Sequence, residues 1–283
     1  MTHRVKGRAD RFSLAAPLRA RFDMRTNSMI DPFEFQRVFG AEVAGYLPLV
    51  DAIVEEAVGT RYRFEPLNIY QRILIEDPVR GMQVYWSEML GRSHLAAVVS
   101  ILRHRQWVRS VVESARSDRF MPFAATFRCL IESVADTQDA LYQVPLTLAE
   151  MAGSIERGLS GHLGDRLVVN QELEDTLIHF SHARQVGASE DAPRTHKRKT
   201  ARDYLKILER SQVSNVAACY SELCEITHPA ADSVKLFLRP HGSATCELRA
   251  EPMPELVQAF CATYAEMIGR APQRCEAAFR RDP

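Results

Sequence analysis

Apolar positions along this chain recur at intervals of three and four, the period of a helix with one face against a core. The clearest run is Leu95, Val98, Val99 and Leu102, and Ala96 and Ala97 make the other side apolar too. A helix apolar nearly all round belongs at the centre of a fold, so a long central helix is predicted over about 82–115. The next stripe is Phe120, Phe123, Phe127, Leu130, Ile131, Val134 and Leu141, which predicts a helix over about 120–142. Ahead of both, Asp31-Pro32-Phe33-Glu34 is a helix start. Asp31 can accept from free N–H groups, Pro32 suits the first helical position, and Glu34 favours the positive end of the dipole. That helix is expected to reach about Val58 and stop at Gly59, with a break near Tyr46 where Gly45 and Pro48 interrupt it.

Further along, Thr147 and Glu150 have capping-box spacing and predict a short helix ending near Gly158 or Gly161. Asn170 can cap a helix with the stripe Leu173, Leu177 and Phe180. Residues 187–196 form a polar loop, after which Thr200 and Asp203 open a helix with Ala201, Tyr204, Leu205 and Leu208 on one face. Another helix, over about 215–227, must end before Pro229, because the residue ahead of a proline is pushed out of helical geometry. The character then changes. Segments Val234–Arg239 and Ala244–Arg249 flank Pro240-His241-Gly242-Ser243, which predicts a β-hairpin over 234–249. A last amphipathic helix follows over about 255–268. The fold class is therefore mainly α, an irregular antiparallel helical bundle with one small β-hairpin near the C-terminus. Three regions are expected: a mobile basic arm over 1–28, an N-terminal helical region over 29–118, and a helical bundle over 119–283 that includes the hairpin and the C-terminal helix.

Composition narrows the function classes. With 46% hydrophobic and 25% charged residues the chain cannot be wholly disordered. Its 36 Lys+Arg balance 36 Asp+Glu, and a formal net charge of zero argues against a protein that coats nucleic acid. The zero is a cancellation. Residues 1–25 carry seven basic residues against Asp10 and Asp23, a net +5. A second basic block, Arg194, Lys197, Arg198, Lys199 and Arg202, adds +5, which leaves about −10 for the rest. No apolar run approaches the roughly 20 residues that a membrane span needs. The 6 cysteines form no C-x-x-C pair and no secretory signal pattern is present, so a cytosolic protein with reduced thiols is expected.

Chemistry is sparsely signposted. There is no Walker A loop, G-x-G-x-x-G, G-x-S-x-G or H-E-x-x-H, so no cofactor is implied. Glu225-x-x-His228 has the spacing of carboxylate-bridged dimetal bundles, and His179-x-x-His182 and Glu132 are the available supplements. A second E-x-x-H is missing, His179 and His182 fall off their helix's apolar stripe, and His228 at a helix C-terminus is favoured by the dipole alone. No metal is therefore assigned. Arg128 and Glu132 stand four apart, which makes an i,i+4 ion pair or a reach to a neighbouring helix. The Arg194–Arg202 block is the best polyanion-binding candidate, against the plainer reading of a solvated helix start.

Two segments carry a family resemblance. One is Phe127-Arg128-Cys129-Leu130-Ile131-Glu132; the other is the helix end Tyr220-Ser-Glu-Leu-Cys-Glu-Ile-Thr-His228-Pro229, directly before the hairpin. Over about residues 120–265 the chain resembles uncharacterised bacterial helical proteins with an R-x-L-x-E helix and a Y-x-x-L-C-x-x-x-H-P helix end. These in turn resemble HEPN-type bundles of toxin–antitoxin and antiphage systems. The resemblance implies that Arg128, Glu132, Tyr220, Glu225 and His228 gather in one interhelical polar cluster. HEPN ribonucleases share an R-x(4–6)-H motif, in which Arg steadies phosphate and His handles protons. Five to seven places before His228 stand Leu223, Glu222 and Ser221, so Arg128 would have to serve from another helix. Arg157 and His162 fit the count but lie at a helix end marked by Gly158 and Gly161. The function expected is a binding or scaffold module in a defence-type system. Its partner would be an unidentified protein, a second copy of the chain or a local stretch of RNA, and no membrane is involved. The alternatives are an RNA-cleaving bundle using His228 with Arg128 and Glu132, and a metal-binding bundle.

Overall fold

The computed structural model describes residues 30–162, 167–187, 189–241, 245–252 and 255–269; the predicted arm over 1–28 lies outside them. Asp31 caps α1 (Pro32–Phe39) by accepting from the Phe33 N–H at 2.9 Å, and Phe35, Val38 and Phe39 bury the i, i+3, i+4 face. The single helix expected up to about Val58 is three. Gly40, with φ of 87°, ends α1; α2 (Ala41–Ala44) follows, and Pro48 sits in the first turn of α3 (Leu47–Ala57). The break thus falls first at Gly40, ahead of Tyr46, because the left-handed turn there costs a glycine little. An unanticipated surface helix, α4 (Leu67–Glu76), comes next and buries no residue fully.

The central helix α5 (Pro78–Arg116) is 39 residues long, ~58 Å at the usual rise per residue. It starts ahead of the predicted Met82 because Asp77 accepts from the Arg80 N–H and Pro78 occupies the first helical position. A short turn at Ser117–Arg119 reverses the chain into α6 (Phe120–Leu141). Around Val111, Val112 and Ala115 of α5, a core forms with α1, α6 and the later helices. Phe123, Phe127 and Phe260 meet there at ring separations of 5.5–5.9 Å, two of the three pairs edge to face.

A second core surrounds Met82, Tyr85, Trp86 and Met89 near the start of α5. It is closed by α7 (Val144–Glu150), α8 (Ala152–Leu159) and α9 (Gln171–His182). Gly158 is required there, since a Cβ would lie 2.3 Å from Trp86 Cδ1. Thr147 does not cap: α7 already starts at Val144, with Pro145 in its first turn, and the Thr147 N–H bonds to the Gln143 carbonyl. Asn170 caps α9 as expected, accepting from the Leu173 N–H at 2.9 Å. Each of the two cores draws residues from both sides of residue 118.

A 3-10 turn at Arg194–His196 leads into α10 (Ala201–Arg210), opened by the predicted capping box of Thr200 and Asp203. Helix α11 (Val216–Thr227) ends before His228-Pro229. The hairpin is shorter than its pattern implied. Ser233 bonds back to Ala230, so residues up to Lys235 form α12 (Ala231–Lys235). Only β1 (Leu238–Pro240) and β2 (Cys246–Leu248) pair, antiparallel, with Leu238 opposite Leu248. Residues 242–244 of the turn lie outside the described set. Helix α13 (Glu255–Thr263) completes the first core through Val257 and Phe260. Mainly α with one small hairpin is thus the observed class. No helix among the described residues is long and apolar enough to cross a membrane.

Candidate functional site

Arg128, Glu132, Asp136 and Asp139 lie at successive three- and four-residue steps on α6, so they share one face along ~16 Å of helix. Helices α10 and α11 lie along that face and, with Lys199 just ahead of α10, supply a partner at every level. At one end, Arg128 Nη1 donates to Thr227 Oγ1 at 3.2 Å and stands 3.2 Å from His228 Nε2. Arginine has no acceptor, so the second contact requires an unprotonated Nε2. A turn along, the Tyr220 hydroxyl donates to Glu132 Oε1 at 2.5 Å, and the same carboxylate oxygen lies 3.9 Å from Arg128 Nε. Next, Asp136 accepts from Arg103 of α5 at 2.7 Å and from the Tyr204 hydroxyl at 3.2 Å. Lys199 pairs with Asp139 at the far end.

The local sequence explains this order. Thr200 starts α10 immediately after Lys199, and Tyr204 follows one turn later. Pro229 ends α11 at Thr227 and leaves His228 extended, beside the guanidinium. Burial shapes the titrations. It pushes the Tyr204 phenol up to about 12, assisted by Asp136. Burial and then the Glu132 hydrogen bond also drive the Tyr220 phenol well above its usual range. Desolvation lowers Lys199, while Asp136 and Asp203 pull it back up.

Of the predicted cluster, Arg128, Glu132, Tyr220 and His228 come together. Glu225 does not: it is exposed on α11 and makes no hydrogen bond or ion pair among the described residues, because the helix turns it away from α6. The metal reading loses its ligand set as well. His179 Nδ1 bonds to the Thr195 carbonyl at 2.8 Å, and no group of three or more His, Cys, Asp or Glu among the described residues could hold an ion. Arg157 bonds to Ser154 at the end of α8 and takes no part in the seam.

The basic block divides. Lys199 turns inward to Asp139, whereas Arg194, Lys197, Arg198 and Arg202 are exposed, with no carboxylate at ion-pair distance among the described residues. Asp136, Tyr204 and Arg103 escaped the sequence reading. Asp136 and Asp139 extend the Arg128/Glu132 spacing, and that continuation was the available signal. A groove of about 390 Å³ between α1 and α13, lined by Phe39, Val257 and Ile268, contains none of the predicted site residues. Comparison with protein-family models, curated proteins and solved structures finds no match for this chain.

Proposed function

We propose that this chain is an RNA-binding helical-bundle module of a defence or toxin–antitoxin type. The observation that carries the reading is the exposed group Arg194, Lys197, Arg198 and Arg202, four cations without an acidic partner among the described residues. The charges along α6 are internally neutralised, whereas these four cations fall close together in the chain, so a polyphosphate would displace counterions at several contacts at once. The expected ligand is single-stranded RNA, recognised through its phosphates. Fluorescence anisotropy of the full chain with labelled oligouridylate tests this. Binding should weaken with salt at a log–log slope of about 0.7 per phosphate contacted. Joint Arg194→Glu and Arg198→Glu substitution should cost about ten-fold or more in affinity. Equal affinity in that variant would defeat the reading.

A second reading is favoured by one specific contact, the 3.2 Å approach of Arg128 to His228. A guanidinium beside an imidazole is suited to steadying a phosphodiester, and with Arg128 turned to the phosphate the Nε2 lone pair that it engages here would be released to accept a proton. The catalytic version has His228 and Arg128 cleave RNA, with Glu132 and Tyr220 positioning Arg128. Structured RNA incubated with the purified chain should then be cut, and His228→Ala should abolish the cutting. Intact RNA across pH and metal conditions eliminates this version and leaves the binding reading standing.

A further inference from the structure

Two half-buried histidines adjoin the exposed cations, one of them in the same turn. His182, at the end of α9, and His196, in the 3-10 turn, stack with ring centres 5.3 Å apart and planes 19° from parallel. The backbone fixes them there: the Arg184 N–H donates to the His196 carbonyl, the Arg198 N–H donates to the Arg184 carbonyl, and His179 bonds to Thr195. His196 therefore sits between Arg194 and Arg198 on a tethered turn, within the basic group itself.

The surroundings of the stack are one-sided in charge. From α5 comes Arg92, whose ion partner is Glu88. The turn contributes Arg194, Lys197 and Arg198, and Arg184 beside it is occupied by Glu190. On α6, Asp136 and Asp139 are engaged by Arg103 and Lys199. Glu174 and Asp175 of α9 stand two turns back from His182. Neither imidazole has a carboxylate at ion-pair distance among the described residues. Stacked rings in such a setting resist a second positive charge. Burial holds His182 below its usual range; the hydrogen bond to the Ile178 carbonyl opposes this, and His196 and Arg92 add to it.

We infer that the His182–His196 stack and the flanking Arg194 and Arg198 form a proton-linked phosphate site, in which RNA supplies the missing negative charge and binds with uptake of a proton. The inference rests on the RNA-binding reading above and adds its regulation. By linkage, whatever favours the imidazolium in the complex makes affinity rise as pH falls. The phosphodiester itself does not titrate in this range, so the pH response reports the protein.

Anisotropy titrations of the full chain with labelled oligouridylate at constant ionic strength, at about pH 7.5 and about pH 6, test this. Uptake of one full proton should tighten binding about thirty-fold over that interval. The double variant His182→Gln with His196→Gln should lose most of this response. A pH response unchanged in that variant, or absent from the native chain, overturns the inference while RNA binding stands. No binding at either pH overturns both. Histidine ring NMR on the native chain gives a check independent of variant folding. The His182 titration should move to higher pH when oligouridylate is added, and an unmoved titration rejects the site.

Discussion

Tyr220 illustrates how a single side chain organises the α6 seam. Its ring is buried among the helices, yet its hydroxyl reaches Glu132 at 2.5 Å. That bond leaves Glu132 bridging a phenol and the neighbouring guanidinium, and so keeps Arg128 turned toward Thr227 and His228. Removing only the hydroxyl should expose the value of the bond, because the ring still fills its place. Tyr220→Phe should destabilise the fold by about 1–2 kcal/mol in urea denaturation, since the acceptor is charged and half-buried. A midpoint identical to the native chain's would mean that the contact contributes nothing in solution. The Arg128–His228 contact sits next to this bond but contributes less to stability, because His228 is exposed and water competes for it.

At the scale of elements, helices with a recognised cap or a long apolar stripe were legible, α6 by its stripe alone, and those with neither were not. Asp31, Asn170 and the Thr200/Asp203 box each mark a start that the structure keeps, because a capping side chain satisfies N–H groups that nothing else can reach. Helix α4 lacked such a cap and buries no residue, so neither of the usual signals announced it. The hairpin was overdrawn because alternation over 234–239 cannot reveal that Ser233 folds back on Ala230. The site divides the same way. Arg128 and Glu132 were visible as an i,i+4 pair, and His228 by its proline, whereas Tyr204 and Arg103 reach Asp136 only through packing between helices distant in sequence. The cap on α10 also has a local consequence, since Thr200 follows directly on Lys199 and the exposed cations. Thr200→Ala removes both the bond to the Asp203 N–H and the hydroxyl's bond to the Asp203 carboxylate. It should cost about 1 kcal/mol in thermal or urea melts and speed amide exchange in the first turn of α10. Unchanged exchange there would show that packing of Tyr204 and Leu208 alone holds that turn.

Across the whole molecule, α5 joins the two cores, and the histidines along it and beside it tie stability to pH. His104 lies between α5 and α6, bonded through Nε2 to Thr137 Oγ1 at 3.1 Å. Burial holds it below its ordinary value of 6.5, Arg103 adds to that, and the Ser133 carbonyl and Asp136 work against it. His182 is lowered too, chiefly by burial. A histidine whose folded-state affinity for protons is depressed leaves stability intact above about pH 6.5. Below that, the unfolded chain takes up protons the folded chain refuses, so stability falls with pH. Glu174 runs the other way: burial raises its carboxyl, so acidification through the carboxylate range favours the fold relative to neutral pH. The two histidines therefore dominate from about pH 7.5 down to about pH 5.5, before the carboxylates respond. Thermal unfolding measured in steps across that window should show the midpoint falling as pH drops. His104→Gln keeps a donor and an acceptor but cannot charge, so its midpoint should fall less steeply, with His182 supplying the remaining slope. If the variant's midpoint tracks the native chain's at every pH, His104 is not the buried group that resists protonation.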